Sequence, residues 1–326
     1  MAIGAAGATV SGRSQAGAVV VLYGSSSGVS ATRRTVIHQN SASVPGAAEA
    51  GDLFGSSLSA GDLDRDGYTD LVVGSSNESI GDRQGVGAAT VLWGGPSGLY
   101  GGKGLPQPST LSEFGNFGNG VATGDFDGDG DTDVTVTGRD HTRLYNGPFT
   151  RTSGPTSHTR VGEVGTVYEV TAGDLTGDGA AERVYPHAVD GDPGGKVYYF
   201  RWTGMTHTVT ELAGADGFPG AIADIDGDGY GDLVLGDSTD PTPPRTSRAA
   251  TRAARSPSGT AARTAPTPRR SPPSSTRTPR ASPARARRAT PSARLSAWAT
   301  STATSTPTSW SAPRARPSAR PGTRAR

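Results

Sequence analysis

The pattern Asp-x-Asp-x-Asp-Gly-x-x-Asp occurs three times in this chain, and each copy runs straight into a short β-branched, apolar stretch. The copies are Asp62 to Asp70 before Leu71-Val72-Val73, Asp125 to Asp133 before Val134-Thr135-Val136, and Asp224 to Asp232 before Leu233-Val234-Leu235. A worn copy runs from Asp174 through Thr176 and Asp178 to Glu182. Carboxylates packed so closely along a chain repel one another unless a positive charge sits between them. Recurrence at similar intervals points to a repeat architecture whose unit carries that positive charge.

Alternating carboxylates suit a hard cation that takes six to eight oxygens, which is the preference of Ca²⁺. Mg²⁺ fits less well, because it keeps its waters and demands a tight octahedron. Zn²⁺ is disfavoured by the lack of cysteine and by five scattered histidines. In the first loop the expected side-chain ligands are Asp62, Asp64, Asp66 and Asp70, with Tyr68 giving its backbone carbonyl. The counterparts are Asp125, Asp127, Asp129, Asp131 and Asp133, then Asp224, Asp226, Asp228, Tyr230 and Asp232. In the worn copy Asp174, Thr176, Asp178 and Glu182 stand at ligand positions, and an Asp/Gly turn that binds nothing is an equal alternative. An EF-hand would need Glu at loop position twelve and flanking helices. Position twelve is Val73, Val136 and Leu235 instead, and the following residues favour strand. Each loop is therefore expected to join two strands of a hairpin.

The loop sits in a larger unit. Phe54-Gly55 precedes the first loop, and Phe117-Gly118 stands at the same offset before the second; Gly217 remains ahead of the last. A second β signature follows the loop-strand. Gly87-Ala88-Ala89-Thr90-Val91-Leu92-Trp93-Gly94 lines up with Gly17-Ala18-Val19-Val20-Val21-Leu22-Tyr23-Gly24, and Gly195 to Phe200 is a looser copy. A loop-to-loop period of about 50 to 63 residues suits a four-stranded propeller blade. On these motifs the chain resembles the FG-GAP repeats of the integrin α-subunit propeller and of bacterial secreted relatives, over about residues 1–240. The resemblance implies an all-β propeller with calcium in its blade loops, incomplete here at about four blades. Cell adhesion is carried over only weakly, because neither a partner subunit nor an inserted domain is visible.

The last part of the chain is different material. From Pro241 onward there is no Asp, Glu or Lys, but there are 18 Arg, leaving 13 basic residues against 30 acidic ones before it. The net charge of +1 therefore describes neither part. Composition alone suggests a disordered basic tail with affinity for nucleic acid. The genetic code suggests another origin. With GC-rich codons, a one-base shift through Pro291–Pro313 regenerates most of the Gly-Asp-x-Asp-Gly-Asp loop and its strand. Residues 241–326 are accordingly expected to be a low-complexity tail that misreads a further repeat, with no nucleic-acid partner. At the other end, Met1-Ala2-Ile3-Gly4 matches Leu71-Val72-Val73-Gly74, so the chain is expected to begin inside a blade. No secretion signal is present, and the intact parent is expected to be extracellular, where calcium at about 10⁻⁴–10⁻³ M meets modules of this affinity.

Catalytic signals are weak. Gly24-Ser25-Ser26-Ser27-Gly28 fits a nucleophile-elbow pattern, but a strand runs into a Ser/Gly turn and no helix follows. The histidines His38, His141, His158, His187 and His207 show no spacing to each other or to a nucleophile. Trp93, Tyr100, Tyr198, Tyr199 and Trp202 are either a sugar-stacking surface or packing between blades. The leading expectation is a non-catalytic, calcium-stabilised module that binds an extracellular protein or glycan. The alternatives are the accessory propeller of a secreted hydrolase or lyase, and a non-functional fragment with two raw sheet edges.

Overall fold

Each Asp-rich loop is the turn of a β-hairpin, and the hairpins belong to four of five antiparallel sheets. The computed structural model describes residues 1–236, apart from 140, 163–166, 168, 190, 191 and 216. The expectations for residues 237–326, tail included, lie outside the described residues. The first sheet holds β1 (Ala2–Ala5), β2 (Ala18–Ser25) and β3 (Gly28–Ile37). The second holds β4 (Phe54–Gly61), β5 (Asp70–Ser75), β6 (Ala88–Trp93) and β7 (Tyr100–Gly104). The third holds β8 (Gly120–Gly124), β9 (Asp133–Thr137), β10 (Arg143–Asn146) and β11 (Ser157–Arg160). The fourth holds β12 (Thr171–Gly173), β13 (Glu182–Val189), β14 (Asp192–Trp202) and β15 (His207–Glu211). The fifth holds β16 (Phe218–Ala223) and β17 (Asp232–Gly236). Among the described residues there is no helix, which removes the EF-hand alternative.

The three full sheets are meanders in chain order, as propeller blades are. Their first strands adjoin: β4 lies against β8, β8 against β12, and β12 against β16. The partial first sheet joins the same row through β1 against β4.

The run after each of the first three loops is buried from both sides, whereas Val234 after the last is exposed. Leu71 and Val73 on β5 point back to Val19, Val21 and Ile37 of the first sheet. Val72, between them, points forward to Val134, Val136 and Tyr145 of the third. The alternation along a strand thus serves two cores at once, which explains why these strands are apolar throughout. Arg183 on β13 breaks that rule. It occupies the backward-facing place that Leu71 and Val134 hold, is 1% exposed, and lies 5.1 Å from the Phe126 ring and 5.6 Å from the Phe200 ring. The aromatic faces offset part of the cost of burying that charge.

The Phe-Gly lead is the joint between sheets. Phe54 is fully buried, and its N–H donates to the Ala16 carbonyl at 3.1 Å. Phe117 repeats this with the Val86 carbonyl at 2.9 Å. Each Phe bridges in parallel to a glycine of the preceding sheet, Gly17 and Gly87 respectively.

Candidate metal centres

The four loops lie on one side of the row of sheets, because each connects the first to the second strand of its sheet. Successive loops touch. The Ala181 N–H donates to the Asp125 carbonyl at 2.6 Å, and the Gly231 N–H donates to the Asp174 carbonyl at 2.9 Å. Arg65 of the first loop forms an ion pair with Asp131 of the second.

The leading aspartate builds each turn. Asp125 accepts N–H bonds from Gly128 at 2.7 Å, Asp129 at 3.2 Å and Gly130 at 2.9 Å. Asp224 does the same with Gly227, Asp228 and Gly229. Asp62 accepts from Gly67, and Asp174 from Thr176, Gly177 and Gly179. The fifth position accepts from the seventh: Asp66 from Tyr68, Asp129 from Asp131, Asp228 from Tyr230. Short acidic side chains are needed here because they can reach the backbone two residues on.

The ninth position staples the hairpin. Asp70 accepts N–H bonds from Leu63 at 2.9 Å and Gly94 at 2.7 Å. Asp133 accepts from Phe126 at 2.9 Å and Gly147 at 2.8 Å. Glu182 accepts from Leu175, and Asp232 from Ile225. Burial pushes the Asp133 carboxyl up to about 7 and the Asp70 carboxyl to about 6, against the pull of those N–H donors. Neighbouring carboxylates push in the same direction as burial.

Three aspartate clusters result, in each of which one oxygen per residue lies within 4.8 Å of the others. They are Asp62, Asp64 and Asp66; Asp125, Asp127 and Asp133; and Asp224, Asp226 and Asp232. Asp70 is not drawn into the first cluster, nor Asp129 and Asp131 into the second, nor Asp228 into the last. Asp131 turns its side chain to Arg65. Among the described residues the worn loop forms no such cluster: Thr176 supplies no carboxylate, and its hydroxyl donates to Glu182 at 3.1 Å. Tyr68 and Tyr230 are exposed, so any part they play falls to the backbone.

Two buried oxygens, Asp62 Oδ1 and Asp64 Oδ1, have no hydrogen-bond partner. A buried carboxylate oxygen left unpaired is costly, and a divalent cation satisfies it. The donor set is all oxygen, which fits Ca²⁺ and does not fit Zn²⁺.

Sequence spacing did not reveal two arginines. Arg151, in the turn between β10 and β11, reaches Asp64 at 2.5 Å and Asp66 at 2.6 Å. Arg201 on β14 reaches Asp178 at 3.1 Å and Glu182 at 3.7 Å. Neither lies within a loop motif, so no short-range pattern marks them. Of the aromatic candidates, Trp93 is buried and Tyr100 exposed, and both rings lie against Arg151.

A family model described as FG-GAP repeat matches residues 54–92, and one described as FG-GAP-like repeat matches residues 125–185. No curated protein matches the chain. The first match begins on the joint residue Phe54, and the second on the turn-building Asp125.

Proposed function

This chain is an FG-GAP repeat protein, and from that premise we propose that it is a non-catalytic propeller module whose blade loops hold calcium and whose surface binds an extracellular protein or glycan. The observation that carries the calcium reading is the recurrence of a three-aspartate cluster in three loops, with unpaired buried oxygens in the first. Asp62, Asp64 and Asp66 would hold one ion, Asp125, Asp127 and Asp133 a second, and Asp224, Asp226 and Asp232 a third. The ion supplies positive charge that lets neighbouring carboxylates sit together in the folded state. The role is structural: a filled loop rigidifies the hairpin and, through the loop-to-loop hydrogen bonds, its neighbour.

FG-GAP repeats suggest an integrin-like binding module, and repeats of this kind are typically non-catalytic. Among the described residues no helix is long and apolar enough to cross a membrane. An extracellular setting is proposed because calcium is abundant there, while sites built from short acidic loops bind at about 10⁻⁴–10⁻³ M.

The test is thermal unfolding of the full chain in chelator and across millimolar calcium. The midpoint should rise with calcium and follow mass-action linkage. A midpoint that ignores calcium up to 10 mM (about ten times the weakest expected Kd) would refute the reading.

A further inference from the structure

The loops share a motif but differ in the charge that meets them. Register pairs Leu92 with Leu71, Tyr145 with Val134 and Phe200 with Arg183. The next residue on each third strand is therefore equivalent, and it is Trp93, Asn146 and Arg201 in turn. Each sits beside the loop of its own sheet. Asn146 donates an amide N–H to Asp127 at 3.2 Å and brings no charge. Arg201 brings a guanidinium onto Asp178 and Glu182. Trp93 instead supports a guanidinium from the next sheet, with Arg151 lying 5.7 Å from its ring centroid and 5.2 Å from that of Tyr100.

Arg151 is held in place from several directions. The Phe149 N–H donates to the Leu63 carbonyl at 2.8 Å, fixing the arginine-bearing turn on the first loop. Lys103 Nζ donates to the Thr152 carbonyl at 2.8 Å. The Arg151 Nη2 group also donates to the Gly94 carbonyl at 3.0 Å. A planar fork spanning two carboxylates is an arrangement that lysine cannot reproduce. The first cluster gathers loop positions one, three and five, and Arg151 grips positions three and five; the second and fourth loops gather positions one, three and nine.

We propose that Arg151 is a guanidinium latch that competes with calcium for Asp64 and Asp66, and that Arg201 takes the place of a cation in the third loop. The proposal rests on the calcium reading of the loops. Two positive groups cannot share the same carboxylates without repelling each other. The second and fourth loops, where no ion pair among the described residues engages the clustered aspartates, load first. The first loop loads only as Arg151 leaves it, so calcium there is linked to a contact between the second and third sheets. The third loop stays closed at all calcium concentrations.

The experiment is calorimetric calcium titration of the full chain, compared with Arg151→Met. The variant should bind calcium about tenfold tighter at one site, the gain from removing a charge-assisted competitor, with the other sites unchanged. The pair Thr176→Asp with Arg201→Asn, which copies the chemistry of the second loop, should add one site. Trp93 emission in the wild-type protein gives a second reading that needs no variant to fold. It should shift at calcium concentrations above those that fill the second loop, as the guanidinium leaves its ring, and Trp93→Phe should abolish the shift. Calcium uptake with equal affinities in wild type and Arg151→Met, or Trp93 emission unchanged to saturation, overturns the latch alone. Failure to add a site overturns the assignment of Arg201. No uptake by any loop, in any variant, overturns the calcium reading and the latch together.

Discussion

Gly17 faces Phe54 across the joint between the first two sheets so closely that a Cβ on Gly17 would collide with the Phe54 carbonyl. Gly87 and Phe117 repeat the relationship one sheet later. Both glycines also sit at positive φ, +87° and +85°, where a side chain is strained. Gly87→Ala should therefore cost about 3 kcal/mol or more, since backbone must move on both sides of the joint. Gly104→Ala is the control, because nothing lies within 4 Å of its added methyl. Equal denaturation midpoints for the two variants would show that the joint is looser than its geometry.

Asp127 and Asp133 share a loop but do different work. Asp133 satisfies the buried N–H groups of Phe126 and Gly147, whereas Asp127 takes weaker local bonds and faces its neighbours' charge. Asp133→Ala should lower the melting midpoint even in chelator, by about 2 kcal/mol for two orphaned donors. Asp127→Ala should leave the chelator midpoint nearly unchanged and remove part of the calcium-linked rise. A full calcium-linked rise in Asp127→Ala would rule out the second loop as a site.

Ile225 holds the loop position of Leu63 and Phe126, yet it is 65% exposed where they are fully buried. The third sheet covers Leu63, through Phe149 and Tyr145. Leu63→Ser should cost about 3 kcal/mol in chemical denaturation, and Ile225→Ser less than about 1 kcal/mol. Comparable losses would mean that Ile225 is covered in solution.

Glu78 carries a pH prediction away from the loops. Burial raises its carboxyl to about 7, against the Gln39 amide at 2.6 Å and with Asp52 and Glu49 adding repulsion. The folded state thus holds this proton more tightly than the unfolded chain does. Its stabilising contribution is complete below about 4.5 and is lost as pH rises through about 7. Glu78→Gln keeps an acceptor for Gln39 and should flatten this window, gaining about 1–2 kcal/mol at pH 8 relative to wild type. Parallel stability–pH curves for the two proteins would contradict it.

The hairpin loops and the strands that follow them were legible in the sequence, because each is a local pattern with a local cause; the Phe-Gly pairs were visible as a motif, but their role as joints between sheets came only with the structure. Asp-Gly turns and β-branched runs declare themselves within nine or twelve residues. Which carboxylates gather in each loop was not legible in the spacing. Nine-residue spacing put Asp70 and Asp133 on the same footing as Asp64 and Asp127, and it could not show that the ninth carboxylate is already committed to two backbone donors.

By itself the sequence determined that the chain is a β repeat with an acidic loop in each unit, since turn chemistry and strand propensity act over neighbouring residues. Only the tertiary structure decided which loops meet a guanidinium. Arg151 reaches Asp64 across 87 residues of chain, and Arg201 faces Asp178 only through strand pairing. The first pair meets only because the sheets stack in one row, the second because β13 and β14 pair. Coulombic interaction depends on distance in space rather than on separation along the chain.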